Sequence, residues 1–117
     1  MNAIITSIKP HKKYNLFIDD LREPPAGTDY IVARSSTEAI GWVVLRGVPQ
    51  HISFGYYLGG NDTSMGFIYW LNNEMFDKKL SFPDGFTYTV HLQDSVGAEN
   101  IRGFMDGLIE FTGGVDK

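Results

Sequence analysis

Four short runs of mostly hydrophobic residues punctuate the chain, and each is followed by a polar or glycine-containing stretch. The runs are YNLFIDD at 14–20, YIVAR at 30–34, HISFGYY at 51–57 and FTYTVHL at 86–92. Short apolar runs bounded by turn residues are typical of buried strands. The pattern therefore predicts four β-strands in this order.

Three helices are predicted between and after these strands. Ser35 stands three residues before Glu38, a capping-box spacing that starts a helix, and Gly47 ends that helix. The other two helices have capping candidates at their starts, which are Asp62, Thr63 or Ser64 and then Asp94 or Ser95. The apolar positions expected to face the core are Ile40, Val43 and Val44, then Met65, Ile68, Leu71 and Met75, and finally Ile101, Phe104, Met105, Leu108 and Phe111.

The element order β-β-α-β-α-β-α predicts a single α/β domain over residues 1–117, with residues 1–13 as an N-terminal arm. Strands that alternate with helices imply a mainly parallel sheet of about four strands that is covered on both faces, which is a three-layer fold. Ligands of such sheets lie beyond the carboxyl ends of the strands. The loops that follow the four strands are therefore expected to share one rim.

Composition limits the function classes. The chain has no cysteine, which excludes a disulfide framework, a thiolate metal site and a cysteine nucleophile and favours a cytoplasmic protein. No apolar run approaches the length that spans a membrane, so we expect no membrane association. The net charge is -4 and the one basic cluster is Lys9, Lys12 and Lys13, so we expect no binding to an extended nucleic-acid duplex.

Three titratable residues at predicted strand ends are the catalytic candidates. Asp19 and Asp20 end the first strand, where two adjacent carboxylates can hold a divalent cation or provide a general base. Alternatively, they cap the turn before Pro24 or pair with Arg22. His91 lies at the end of the fourth strand, where it is either a general acid or base or a structural histidine.

Further rim residues are candidates for binding a phosphate group. Arg22 and Arg34 carry forked donors that suit phosphate oxygens. Alternatively, Arg22 pairs with nearby carboxylates and Arg34 is solvated. Ser95 and Asn100 open the last helix, where free N–H groups favour an anion, or they serve in capping and packing.

Four of these segments, in this order and spacing, resemble the cyclic-phosphate processing receiver-like domain family of bacteria and phages. They are LFIDDLREPP, ARSSTEAI, ISF with LGGNDTSMGF, and YTVH with VGAENI. The resemblance implies a receiver-like (flavodoxin-like) fold. It also implies a phosphoesterase that processes cyclic phosphates on nucleotides or RNA ends, in the cytoplasm of a bacterial cell or a phage-infected host.

The resemblance assigns roles to individual residues. The family motifs Asp-Asp-x-Arg and Ala-Arg-Ser and the later His and Asn are matched by Asp19, Asp20 and Arg22, by Arg34 and Ser35, and by His91 and Asn100. In these roles Asp19 and Asp20 hold Mg²⁺ or Mn²⁺ or activate water, and His91 donates a proton to the leaving oxygen. The phosphate is held by Arg22, Arg34 and the helix start at Ser95.

The chain departs from the family pattern after two strands. The family has Ser-Phe-Asp-His-Asp-Leu-Gly where this chain has SFGYYLG, so Gly55, Tyr56 and Tyr57 replace two acids and a histidine. The family's His-Ser-x-Asn-Pro-x-Gly becomes HLQDSVG at 91–97. Loss of one proton-transfer group commonly costs about 10²–10⁴ in rate. Tyrosines supply flat faces that suit a nucleotide base or a protein partner.

Three functions are compatible with these residues. The first is a phosphoesterase with an altered site, acting on a small phosphorylated nucleotide or an RNA-end cyclic phosphate. The second is a non-catalytic module that sequesters the nucleotide and stacks its base on Tyr56 and Tyr57. The third is a protein-interaction domain in which the same tyrosine loop is the anchor.

Overall fold

The computed structural model describes residues 13–92 and 95–113, so the expected N-terminal arm lies almost wholly outside the described residues. The strands are β1 (Asn15–Ile18), β2 (Ile31–Ala33), β3 (His51–Phe54) and β4 (Thr87–Val90), and the helices are α1 (Ser36–Arg46), α2 (Ser64–Phe76) and α3 (Ser95–Phe111). The strands form one parallel sheet in the order β2-β1-β3-β4. The predicted receiver-like α/β fold with a four-stranded parallel sheet is confirmed.

The starts of α1 and α2 are fixed by side-chain caps. Ser35 Oγ accepts the backbone N–H of Glu38 at 3.1 Å, and the Glu38 carboxylate accepts the N–H of Arg34 at 2.7 Å. Of the candidates at the second start, Thr63 is the cap, because its hydroxyl oxygen accepts the N–H of Met65. At the start of α3, the side chains of both predicted caps lie outside the described residues.

One hydrophobic core lies between the sheet and all three helices. Its strand residues alternate along each strand, so they share one face of the sheet: Leu16, Ile18, Ala33, Ile52 and Phe54. Each helix contributes buried side chains to the same cluster, among them Val43 of α1, Leu71 of α2 and Met105 of α3. The three helices therefore cover the same face.

The third layer expected from the sequence is not formed by the described residues, which place no helix on the opposite face. The connections from β2 to β3 and from β3 to β4 run in one direction across the sheet, so their right-handed crossovers put both helices on one side. The β1–β2 connection runs the other way, and it is a loop that contains Pro24 and Pro25. Within the described part of the chain, no helix is long and apolar enough to cross a bilayer.

Two residues that were expected to face the core do not. Val44 is 71% exposed, because the buried stripe of α1 runs through Ala39 and Val43 and the next position points away from it. Phe111 is 64% exposed and stacks on Phe76, with ring centroids 5.8 Å apart, at the C-terminal ends of α3 and α2.

Candidate functional site

A cleft of about 370 Å³ lies at the carboxyl ends of β1 and β3. The chain leaves β1 toward β2 on one side and returns to β3 on the other, so strand order reverses between β1 and β3. Open α/β sheets bind ligands at such a switch point. The cleft is lined by Asp19, Asp20, Leu21, Arg22, Gly55, Tyr56, Tyr57 and Leu92. It therefore brings together most of the residues that the sequence predicts for the site.

Asp19 is buried at the end of β1, and its carboxylate is bound within the protein. Oδ1 accepts the backbone N–H groups of Leu21 at 2.9 Å and Arg22 at 2.8 Å, and Oδ2 lies 2.8 Å from Nε2 of His91. Burial opposes ionisation of this carboxyl. The N–H groups of Arg22 and Leu21, together with His91, outweigh burial and hold the pKa of Asp19 below its usual value. Fixed donors therefore compensate the charge of Asp19.

His91 lies behind Asp19, and both of its ring nitrogens are occupied. Nδ1 lies 2.7 Å from Oγ of Ser53, and Nε2 contacts Asp19. The ring stacks on Phe17 with centroids 4.2 Å apart and an interplanar angle of 5°. His91 is not among the residues that line the cleft, so it meets the cleft through Asp19.

The two predicted phosphate-binding arginines differ in what they contact. Arg34 donates through Nη1 to the carbonyl oxygens of Asp19 and Arg22 at 3.2 and 2.6 Å, and through Nη2 to Glu23 at 2.5 Å. Its guanidinium therefore anchors the loop that follows β1. Arg22 donates one bond, from Nη1 to the carbonyl oxygen of His91 at 2.8 Å. Its remaining side-chain donors form no bond within the described residues, so Arg22 is the cation available to an anion in the cleft.

Asp20 lines the cleft, and its carboxylate forms no hydrogen bond or ion pair with another described residue. In residues 13–92 and 95–113, the cleft included, no group of three or more His, Cys, Asp or Glu side chains could hold a metal ion. Mg²⁺ and Mn²⁺ are hard cations that prefer several oxygen ligands. Since the Asp19 carboxylate is engaged by N–H groups and His91, Asp20 has the one unpartnered carboxylate among the described residues that line the cleft. The described donor set does not fit a protein-held divalent cation.

The loop after β3 is tied to the neighbouring elements. The Asp62 carboxylate accepts the backbone N–H and the hydroxyl of Ser36 at 2.8 and 2.6 Å. Ser64 donates its hydroxyl to the carbonyl oxygen of Gly55 at 2.5 Å, and the N–H of Leu58 donates to the carbonyl oxygen of Asp62 at 2.9 Å. The carboxylate of Asp62 thus occupies the first turn of α1.

The two tyrosines of this loop have different surroundings. Tyr56 packs its ring on the first turn of α3, where a Cβ atom at Gly97 would lie 2.8 Å from the Tyr56 Cγ. Tyr57 is 66% exposed and meets Tyr56 edge-on, with centroids 4.9 Å apart. Tyr57 also forms an isolated antiparallel bridge with Thr63. The cleft is therefore lined by one tyrosine that packs against α3, Tyr56, and one that is largely exposed, Tyr57.

Of the two residues predicted at the start of α3, Asn100 does not join this arrangement. Asn100 is exposed and is not among the residues that line the cleft. Ser95 begins the helix, but its side chain lies outside the described residues.

Sequence reasoning missed Ser53. Its hydroxyl contacts His91 and accepts a hydrogen bond from Thr89 at 3.3 Å. The sequence did contain a signal. Polar and apolar residues alternate in HISF at 51–54 and TYTVH at 87–91, which puts Ser53 and His91 on the sheet face opposite the core.

A protein-family model matches most of the chain. The family is described as the cyclic-phosphate processing receiver domain, and the match covers residues 14–107. That range includes all four strands and every loop that forms the cleft. No curated protein and no solved structure matches the chain.

Proposed function

The chain belongs to the cyclic-phosphate processing receiver domain family, and from this premise we propose that it is a phosphoesterase that opens the cyclic phosphate of a small nucleotide or an RNA end. The proposal rests on one observation: Asp20, an uncommitted carboxylate, and Arg22, a guanidinium with free donors, line the same cleft. Hydrolysis of an anionic ester needs a base for water and a cation for the phosphate.

Arg22 is the proposed phosphate ligand. A guanidinium binds two phosphate oxygens at once and stabilises the charge that develops on them during attack. Its position is fixed at both ends, because its backbone N–H donates to Asp19 and its Nη1 donates to the carbonyl oxygen of His91. Repulsion of the phosphate by Asp19 is reduced, since that carboxylate is already neutralised by donors.

Asp20 is the proposed general base. It takes a proton from water, the water oxygen bonds to phosphorus, and one ester P–O bond of the ring breaks. The leaving oxygen takes a proton from solvent, and Asp20 returns its proton to solvent. The net reaction adds one water to a cyclic phosphodiester and yields a phosphomonoester.

We expect turnover to be slow. Both ring nitrogens of His91 have protein partners. To donate a proton to the leaving oxygen, His91 would have to give up one of these two hydrogen bonds. The loop positions that hold acids and a histidine in the family pattern are Gly55, Tyr56 and Tyr57 in this chain. A missing proton-transfer group lowers rates by about 10²–10⁴.

The test is an assay with a panel of 2′,3′-cyclic nucleotides in which products are separated by chromatography. The wild-type protein is expected to form phosphomonoester. Asp20→Asn should lower kcat by about 100-fold or more, and Arg22→Ala should raise KM. Asp77→Asn, which changes an exposed carboxylate at the end of α2, is the matched control and should leave turnover unchanged. No turnover across the panel, or full turnover by Asp20→Asn, contradicts the proposal.

A second candidate function is sequestration of the same nucleotide without chemistry. It is favoured by the tyrosines, which line the cleft where proton-transfer groups are lost. Under this alternative, calorimetry detects binding and chromatography recovers the cyclic nucleotide unchanged after long incubation. Recovery of the monoester instead rules sequestration out.

A further inference from the structure

Ser53 is a buried polar residue that the proposed reaction does not use. It lies in β3 with 4% of its surface exposed. Its Oγ lies 2.7 Å from Nδ1 of His91, and Thr89 Oγ1 donates to it at 3.3 Å. A buried hydroxyl is costly without such partners, so these bonds hold the side chain in one orientation.

The partners of His91 determine which ring nitrogen carries hydrogen in the neutral ring. The Asp19 carboxylate can only accept, so Nε2, at 2.8 Å from Oδ2, is the N–H donor. Nδ1 of the neutral ring is then an acceptor, and the Ser53 hydroxyl supplies its hydrogen. Because Ser53 in turn accepts from Thr89, donors and acceptors alternate without conflict from Thr89 to Asp19.

The residue types serine, histidine and aspartate also occur in hydrolases with a serine nucleophile. Here the serine is buried and is not among the residues that line the cleft. An incoming phosphate would therefore meet the cleft residues Asp20 and Arg22, not the Ser53 hydroxyl. The geometry favours a positioning role over a nucleophilic one.

Asp19 connects this chain of bonds to the proposed catalytic loop. Its Oδ1 accepts the backbone N–H groups of Leu21 and Arg22, the two residues that follow Asp20. A shift of the Asp19 carboxylate therefore moves the backbone that carries the proposed base and the proposed phosphate ligand. The backbone carbonyl oxygen of His91 also accepts a hydrogen bond from Nη1 of Arg22 at 2.8 Å.

We infer that Ser53 is a positioning residue: its hydroxyl, oriented by Thr89, donates to Nδ1 of His91 and, together with Asp19, stabilises the tautomer with hydrogen on Nε2. This tautomer holds Asp19 and the loop of Asp20 and Arg22 in place. The consequence for turnover rests on the proposed function. The consequence for His91 does not, because it concerns the protein without ligand.

The experiment combines ligand-free NMR with kinetics. Long-range ¹H–¹⁵N correlations of the histidine rings report the tautomer of His91 in the wild-type protein and in Ser53→Ala. We expect the Nε2–H form in the wild type and a severalfold larger share of the Nδ1–H form in Ser53→Ala. The kcat of Ser53→Ala should fall by about tenfold, below the 10²–10⁴ lost with a proton-transfer group itself, with a smaller change in KM. Ser53→Thr, which keeps the hydroxyl, should restore both readouts.

Thr112→Val is the matched control, because the Thr112 hydroxyl donates to the carbonyl oxygen of Leu108 at 3.0 Å at the end of α3 and contacts no histidine. It should leave the His91 tautomer unchanged. Should Ser53→Ala fail to fold, Thr89→Val tests the same chain of bonds, and we expect a smaller shift in the same direction. An unchanged tautomer in the folded variants overturns the inference. A shifted tautomer in a protein without turnover supports the positioning role and rejects the proposed hydrolysis.

Discussion

A Cβ atom at Gly55 would lie 2.9 Å from Oδ2 of Asp19 and 3.3 Å from Nε2 of His91. Glycine at the end of β3 therefore leaves the space in which Asp19 and His91 approach to 2.8 Å. The family pattern has an aspartate at this position. In this chain, the position that is an aspartate in the family pattern is the glycine that leaves room for the Asp19–His91 contact.

Gly55→Ala should destabilise the protein. The added methyl group would also lie 3.0 Å from the carbonyl oxygen of Ile18, which cannot easily move because it belongs to the backbone of β1. Overpacking of this kind typically costs about 1–3 kcal/mol, measurable as a lower free energy of unfolding in urea. Gly41→Ala is the control, since no atom lies within 4 Å of a Cβ there and alanine favours its helix. Equal effects of the two substitutions would contradict this account.

Asp19 should make stability depend on acid pH. Its pKa is lower in the folded protein than in the unfolded chain, because the N–H groups of Arg22 and Leu21 and the contact with His91 outweigh burial. Its contribution is therefore fully present above the unfolded pKa of about 3.9 and is lost as the pH falls through the folded pKa. We expect the free energy of unfolding, measured in urea, to fall more steeply from neutral to acid pH for the wild-type protein than for Asp19→Asn. The exposed control Asp29→Asn should follow wild type, and identical slopes for all three would be the opposite result.

Arg34→Lys should loosen the loop after β1 although it keeps the charge. Lysine cannot reproduce the fork that binds the carbonyl oxygens of Asp19 and Arg22 together with Glu23. Because the guanidinium is about one-third exposed, we expect a modest loss of about 1 kcal/mol in unfolding free energy. Amides of residues 19–23 should also exchange faster with solvent. Glu23→Gln removes only an exposed ion pair and should cost less than about 0.5 kcal/mol. A larger loss in Glu23→Gln than in Arg34→Lys would reverse the assigned roles.

The order of elements could be predicted from the sequence because its signals are local. The Ser35 and Glu38 spacing marks the start of α1, and alternating strands and helices indicate a parallel sheet. That the described helices all lie on one face could not be inferred from that pattern, because it depends on the direction in which each connection crosses the sheet. It follows from a loop, with Pro24 and Pro25, in the one connection that runs the other way.

The candidate site was predictable in part for the same reason. Loops that follow parallel strands share one rim, and the structure places Asp20 and Arg22 in a cleft at that rim. The contact between Ser53 and His91 depends on the register of β3 against β4, in which Ser53 pairs with Thr89. Apolar and polar alternation defines the face of a strand but not its register against a neighbour. The sequence likewise could not predict that the Arg34 guanidinium is hydrogen-bonded within the protein, since its partners are backbone carbonyl oxygens of a folded loop.

Tyr57→Ala should weaken nucleotide binding without unfolding the protein, because the side chain is largely exposed at the cleft. Stacking of a base on an aromatic ring is worth about 1–3 kcal/mol, so affinity for a 2′,3′-cyclic nucleotide should fall by at least about fivefold. Tyr69→Ala, an exposed tyrosine on α2 outside the cleft, is the control. Calorimetry that finds equal affinities for the two variants would remove Tyr57 from the binding site.

The most direct measurement is a titration of the ¹⁵N-labelled protein with a 2′,3′-cyclic nucleotide, followed by amide NMR. We expect saturable shifts that are largest at Asp20, Arg22, Gly55 and Tyr57, and much weaker shifts with the matching nucleoside, which lacks the phosphate. The contrary result is no saturable shift, or shifts centred on the apolar groove at the ends of α2 and α3, where Phe76 and Phe111 lie. Either outcome would show that the cleft between β1 and β3 is not a cyclic-phosphate site.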